Sequence, residues 1–426
     1  MVRESIAPAA SRSNRAPTSA CNHARTMEVP PLQPPRSSPI AEDEARRIPP
    51  LLAGYWSFGQ YWGTWVIVVV ELNRHRGLSY GRNGLLLALL SIVAVLVMTF
   101  GAPRLTRFPI SGLIAGSLTT LGVGAVAMAV LSTGTLWIAF ILVGAGNGLI
   151  DVFLNVEAQR VEVATGRPVL QWLHASYAAG GVTGAIVGGA IVAAGANYPA
   201  ALAIAGLLLF LTAAWNARRG ANTRAQAGDP STFSLSAFRR HPTLWVPALV
   251  ILFAFLVEGS MDTWSGLYLQ DELGASASKA AVAFAAFSAS LCIGRLFAGR
   301  VLFGFGRRIT IVLSGIGAAI GGGVAAATSS PAVVAVAFLI LGFAISASAP
   351  AAFGLVDEAA PGDQANGVAA VTTVGYSGFV WSPPIFGWIA QAFDLRAAMV
   401  VIVSTTAGIV VAGWLAPRAG RDVTTD

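Results

Sequence analysis

Residues 83–101 read Asn83-Gly-Leu-Leu-Leu-Ala-Leu-Leu-Ser-Ile-Val-Ala-Val-Leu-Val-Met-Thr-Phe-Gly101, without a single charge. A helix needs about 20 apolar residues to cross the hydrocarbon core of a bilayer, so this stretch is long enough to span. It stops at Pro103-Arg-Leu-Thr-Arg-Phe-Pro109, a tight turn with two arginines, and another apolar run follows at once. The same alternation continues in both directions. Segments fall at 51–72, 83–101, 110–131, 134–156, 172–194 and 199–217. After a polar stretch they resume at 243–270, 279–299, 308–328, 331–355, 367–392 and 395–416.

The composition excludes a soluble protein. Charged residues are 11% of the 426 and hydrophobic ones 55%, with 47 glycines besides, whereas an ordinary globular chain is about 25% charged. So few charges cannot cover a water-facing surface of this size. The fold expected is an all-α membrane protein of twelve transmembrane helices in two pseudo-symmetric six-helix bundles. Its parts are a disordered cytoplasmic tail at 1–50, bundles at 51–217 and 243–417, a basic linker at 218–242 and a short tail at 418–426. Met27 is an alternative start within the first tail.

The net charge of +7 does not imply nucleic acid, because the bases sit in short loops rather than along one face. Their distribution sets the topology instead. With both termini cytoplasmic, the inside loops hold Arg104, Arg107, Arg160, Arg167, Arg218, Arg219, Arg224, Arg239, Arg240, Arg300, Arg307, Arg308, Arg418 and Arg421. The outside loops hold only Arg74, Arg76, Arg82, Lys279 and Arg396. Cys21 and Cys292 imply neither a disulfide framework nor a metal cluster. No zinc spacing, phosphate-binding loop or nucleophile elbow appears, so neither an enzyme nor a cofactor is expected. Without an ATP site, uphill transport must draw on a gradient. The expected partners are a small-molecule substrate, protons and the lipid bilayer of the cytoplasmic membrane, around a monomer.

Ionisable residues at membrane depth are costly and usually line a cavity. Asp151 lies about 7 Å past the middle of the fourth segment, at 1.5 Å per residue, and Asn155 shares its face one turn on. The bland alternative is a carboxyl bonded to a neighbouring helix. Glu258 sits near the middle of the seventh segment with Asp262 one turn outward. Asp262 and Trp264 can equally be outer-interface residues. The first segment is aromatic, with Tyr55, Trp56, Phe58, Tyr61, Trp62 and Trp65 around Gln60. Gln60, Tyr61 and Trp62 are deep enough to hold a sugar, whereas Tyr55 and Trp56 fit an interfacial belt. His174 opens the fifth segment close to Asn155 and Glu157, as a cytoplasmic gate or a plain structural partner. Arg295 can snorkel. Gly180, Gly184 and Gly188 form a small-residue face suited to close packing. Pro383 and Pro384 are placed to kink the eleventh segment.

Six spans, a linker and six more is the layout of transporters built from repeated bundles. Over residues 51–417 the chain resembles the major facilitator superfamily. Residues 299–308 match its cytoplasmic signature, Gly-x-Leu-Ala-Asp-Arg-x-Gly-Arg-Arg, at Gly299, Gly306, Arg307 and Arg308, with Phe303 in place of the aspartate. Without that acid, Arg307 and Arg308 are expected to meet helix dipoles or anionic headgroups. Three stretches are similar to the fucose-permease-like branch of bacterial inner-membrane permeases. They are Gly144-Ala-Gly-Asn-Gly-Leu-Ile-Asp151-Val-Phe-Leu-Asn155, Glu258-Gly-Ser-Met-Asp262-Thr-Trp264-Ser-Gly-Leu-Tyr268, and Val374-Gly-Tyr376-Ser-Gly378 before Pro383-Pro384.

In sugar/proton symporters of that branch, an acid on this fourth segment with an asparagine four residues later serves proton coupling and substrate binding. Asp151 and Asn155 match, while no acid precedes Glu71 on the first segment, where the branch can carry a second one. The resemblance implies a secondary active transporter of a sugar or similar small polar solute, working by proton-coupled symport. Asp151 carries the proton; Gln60, Tyr61, Trp62, Asn155, Glu258, Asp262 and Tyr376 contact substrate. His174, Gly299, Gly306, Arg307 and Arg308 belong to the cytoplasmic gate. The alternative is a proton-driven exporter of drug-like or metabolite molecules. Gly180-x-x-x-Gly184-Ala185-x-x-Gly188-Gly189 resembles the exporters' antiporter signature, with Ala185 where they have proline.

Overall fold

The computed structural model describes residues 39–219 and 236–417, all helices and connecting turns, with no extended strand among the described residues. Cys21, Met27, Arg224, the tail before residue 39 and the tail 418–426 lie outside them. The end of the expected N-terminal tail is helical rather than irregular: Pro39–Ala45 forms a short helix, and the first crossing helix already starts at Ile48. Ion pairs fix this segment, since Arg47 meets Glu44 at 2.9 Å and Arg160 reaches Glu44 at 2.8 Å.

The crossing helices are α1 Ile48–Arg76, α2 Tyr80–Leu105, α3 Ile110–Val130, α4 Leu136–Thr165, α5 Val169–Ala193 and α6 Tyr198–Arg219. In the second half they are α7 Pro242–Glu272, α8 277–305, α9 307–327, α10 Pro331–Ala359, α11 Gln364–Ala392 and α12 Leu395–Leu415. Nine described helices are long and apolar enough to cross a membrane by composition, counting Ala277–Ala327 once. That helix has 51 residues, roughly 75 Å at 1.5 Å each, over twice the ~30 Å core. It is two spans joined at Gly306, whose φ of 73° and ψ of 166° break the helix. The loop expected between 299 and 308 is thus helical up to that one glycine. Helices α1 and α11, at 29 residues each, complete the twelve of this multi-pass membrane protein.

The halves repeat one packing scheme: α1 lies on α5 as α7 lies on α11, and α3 lies on α6 as α9 lies on α12. The α1–α5 seam is made of glycine. A Cβ on Gly59 or Gly63 would overlap the carbonyls of Tyr177 and Gly181, and one on Gly180 or Gly184 those of Trp56 and Gln60. The small-residue face of α5 is therefore occupied in packing.

Contacts between the halves gather at one end. Arg74 pairs with Asp271, the Tyr80 hydroxyl approaches Asp271, Gln270 donates to the Ile67 carbonyl at 3.2 Å, and Gly81 N–H reaches Gln391. Gly266 of α7 lies directly on the Val66 carbonyl of α1, and Gly189 of α5 on α8 at Ala277 and Ala281. The tandem prolines leave α11 continuous. Pro383 has no N–H to give the Phe379 carbonyl four residues back, and Ser91 of α2 approaches that oxygen at 3.4 Å instead. Away from this end the halves separate, and His174 and the side chain of Arg295 are exposed between them.

Candidate functional site

Helix α4 presents Asn147, Asp151 and Asn155 at four-residue spacing, a single polar face, towards the aromatic residues of α1. Trp62 Nε1 donates to Asn147 Oδ1 at 3.0 Å. One turn along, the Tyr55 hydroxyl donates to Asp151 Oδ1 at 3.2 Å. Asn155 Nδ2 donates to the Asp151 carbonyl at 2.6 Å and to its carboxylate at 3.2 Å. Asp151 is thus held by neutral donors alone; among the described residues no ion pair reaches it. A carboxyl so placed is free to take up a proton or a cationic group.

Across the gap, the second half carries a charged cluster. Arg295 of α8 bonds both carboxylate oxygens of Glu258 on α7, at 2.8 and 3.0 Å. Asp262, one turn further along α7, lies within electrostatic reach of both. Tyr376 of α11 lies within reach of Asp151, and Tyr177 of α5 within reach of Glu258, Asp262 and Arg295.

The structure brings Asp151, Asn155, Trp62, Glu258, Asp262 and Tyr376 to the walls between the halves. It does not bring Tyr61 there: the ring is fully buried within the first half and its hydroxyl points to Met128 Sδ at 3.5 Å. Gln60 is also packed away. It donates to Thr64 at 3.1 Å and forms part of the glycine seam. Trp264 and Tyr268 are core residues, Trp264 stacked on Phe386 with centroids 5.0 Å apart and Tyr268 bonded to the Ala325 carbonyl.

Tyr55, expected in an interfacial belt, is instead buried against Asp151 and packs edge-on to His174, centroids 5.6 Å apart. Tyr55 links His174 to Asn155, whose Nδ2 donates to the Tyr55 hydroxyl at 3.3 Å. Glu157 is engaged elsewhere, bonded to Arg160 at 2.7 and 2.8 Å. At the turn similar to the family signature, Gly299 faces open space and Phe303 is 96% exposed. Arg307 finds its acid on another helix, Glu358 of α10, and Arg308 stacks on Trp414. Each of these arginines thus has a protein partner besides the dipoles or headgroups expected of it.

Sequence reading passed over Asn147, Tyr177 and the pairing of Arg295. Asn147 was legible as the residue four before Asp151. Tyr177 and Arg295 depended on which helices meet.

The comparisons agree with this architecture. The model of the Major Facilitator Superfamily matches residues 51–304 and 267–425. An uncharacterized MFS-type transporter of Yersinia pestis is 29% identical over 339 residues, covering 78% of this chain and 86% of that one. Among solved structures, a bacterial homologue of the human lysosomal transporter Spinster, inward-facing and occupied, is similar with a TM-score of 0.69. It is 18% identical, over 87% of this chain and 96% of that one. The nucleoside transporter NupG gives 0.71 at 12% identity, over 88% and 98%. At such identities the solved structures speak for the fold, and the family model covers both halves: the chain belongs to the Major Facilitator Superfamily.

Proposed function

We propose that the protein is a proton-linked secondary transporter whose solute binds between the halves, with Asp151 as the proton-carrying group. The observation that carries this reading is the setting of Asp151. Its carboxyl lies on the wall of the gap, is held by Tyr55 and Asn155, and has no counter-cation among the described residues. The arginine count supports placing the Arg307 end in the cytoplasm. The conformation is then sealed outside and open inside, one state of an alternating-access cycle in which the bundles rock about the site.

Import of a sugar by symport draws support from the motifs similar to fucose-permease-like transporters. Two of the residues meant to line a sugar site, Gln60 and Tyr61, are packed away from the gap. Proton-driven export of drug-like or metabolite molecules is favoured by the rings that line the gap, Tyr177, Tyr376 and Phe379 among them. Its other support, the glycine signature on α5, is spent on packing against α1.

The test is flux in proteoliposomes under an imposed pH gradient, using a solute found by thermal-shift screening of sugars, sugar acids, aromatic acids and drug-like amines. Asp151→Asn should abolish pH-driven flux, while Asp151→Glu retains part of it. Unchanged pH-driven flux in Asp151→Asn overturns the reading. The direction of solute movement in inverted vesicles separates import from export.

A further inference from the structure

Each half builds an aromatic triangle on equivalent helices. In the first half, Tyr55 and Phe58 of α1 close a triangle with Tyr177 of α5, with centroids 5.7, 5.6 and 5.2 Å apart. In the second, Phe255 of α7 closes one with Tyr376 and Phe379 of α11, at 5.1, 4.6 and 6.1 Å. Helices α1 and α5 correspond to α7 and α11 in the repeat, so the triangles stand on equivalent helix pairs, two rings coming from α1 in the first and two from α11 in the second. Tyr55, Phe58 and Phe255 are buried and brace the others, while Tyr177, Tyr376 and Phe379 keep part of their surface open. Rings locked by neighbouring rings lose little entropy when a ligand stacks on them.

The charges around the triangles are unequal. Of the three acids Asp151, Glu258 and Asp262, Glu258 is bonded to Arg295 and Asp262 lies within its reach, while Asp151 has no ion pair among the described residues. His174 stands against Tyr55 at the open end, itself within reach of Arg295. Two acids lie beside both triangles: Glu258, within reach of Tyr177 and Tyr376 but paired with Arg295, and Asp151, bonded to Tyr55, within reach of Tyr376 and without an ion pair among the described residues. Aromatic faces attract cations through their quadrupole, and an acid held only by neutral donors completes such a site. A sugar would need several directional donors and acceptors, and an organic anion would have to displace Glu258 from Arg295.

Resting on the proton-linked reading above, we propose that the solute is an aromatic organic cation. Its ring lies between the Tyr177 and Tyr376 triangles and its ammonium on Asp151, which the proton and the solute occupy in turn. Sharing one carboxylate makes their binding mutually exclusive: the solute leaves the site as the proton arrives, and the reverse.

The probes are small molecules that separate ring from charge: phenethylammonium, ethylammonium, 3-phenylpropionate and methyl β-glucoside. Their binding to the full-length protein in detergent is measured by isothermal titration. Phenethylammonium should bind at least about tenfold more tightly than each of the others. Asp151→Asn should weaken it about tenfold or more, Asp151→Glu should largely keep it, and Tyr376→Leu should weaken it about two- to tenfold. The Asp151→Glu variant controls for folding.

Equal or tighter binding of the propionate or the glucoside overturns the proposal. So does undetectable phenethylammonium binding, or an affinity that Asp151→Asn leaves unchanged. These results concern equilibrium binding of a class of molecule. The proton-linked reading falls only if pH-driven flux survives Asp151→Asn, so the two failures are distinct.

Discussion

Gly266→Ala should open the sealed end of the transporter without unfolding it. Gly266 is on α7 and the atom it would strike, the Val66 carbonyl oxygen, is on α1, so the clash lies between the halves rather than inside one. The added methyl would overlap that oxygen, whereas non-bonded atoms prefer about 3.5 Å or more. Over-packing of this kind costs about 1–3 kcal/mol. Rocking the halves apart relieves it completely, so the cost falls on the sealed state alone. At 1.4 kcal/mol per factor of ten, the sealed-to-open ratio should fall about 5- to 150-fold.

The nearby Arg74–Asp271 pair cannot match this. Arg74 is 65% exposed, and exposed pairs contribute about 0.2–1 kcal/mol, so Asp271→Asn should shift the ratio about fivefold at most. The assay is pulsed electron–electron spin resonance between labels at Arg82 and Lys279, two exposed positions at the sealed end on opposite halves. Gly266→Ala should add a long-distance population that Asp271→Asn barely produces. Gly63→Ala is the control, because its clash with the Gly181 carbonyl lies within the first half. It should lower the unfolding temperature without lengthening the distance. If Gly266→Ala lowers the unfolding temperature as Gly63→Ala does and leaves the distance distribution unchanged, the reasoning is wrong.

Glu258→Gln should destabilise the protein by about 1–2 kcal/mol in thermal unfolding, below the 3–5 typical of a broken buried pair, because Arg295 is 40% exposed and Asp262 stands nearby. The double variant Glu258→Gln, Arg295→Gln should recover only a small part of that loss, since Arg295 is no longer left without its bonded acid but Asp262 loses the base within its reach. Glu157→Gln removes an acceptor shared by Arg160 and Arg47 and should cost about 1–3 kcal/mol; hydrogen exchange should show faster opening of Pro39–Ala45. Phe303→Asp restores the acid of the family signature at a position open to solvent, and its unfolding should change by no more than about 0.5 kcal/mol.

The twelve spans were legible because a bilayer imposes length and apolarity directly on the chain. Boundaries failed where polar sequence stays helical for local reasons. Helix α4 runs on to Thr165 because Glu157 and Arg160 pair along its face, and α8 continues to Gly306 because nothing before that glycine breaks it. Asp151 and Asn155 were legible as a pair because both lie on one helix, where spacing fixes their mutual position. The partners of Glu258 and Arg307 were not. Arg295 and Glu358 sit on other helices, and hydropathy says which segments span but not which faces meet.

The same distinction explains where aromatic residues were misread. On α1, Tyr55, Tyr61 and Trp62 lie within one short stretch, and depth in the bilayer alone made Tyr61 look like a site residue and Tyr55 like a belt residue. Rotation about the helix axis decides otherwise, and the glycines set that rotation. Gly59 and Gly63 must face α5, because no larger residue could lie so close to its backbone. Tyr55 is four residues before Gly59, so it follows the seam towards α5, where it meets Tyr177 and His174. Tyr61, two residues from either glycine, is turned to roughly the opposite side, towards Met128 of α3. The neighbours of a polar span's aromatic residues can therefore be ordered once its glycine face is known. In this protein that ordering favours Tyr55 over Tyr61 as the first ring to truncate in tests of solute binding.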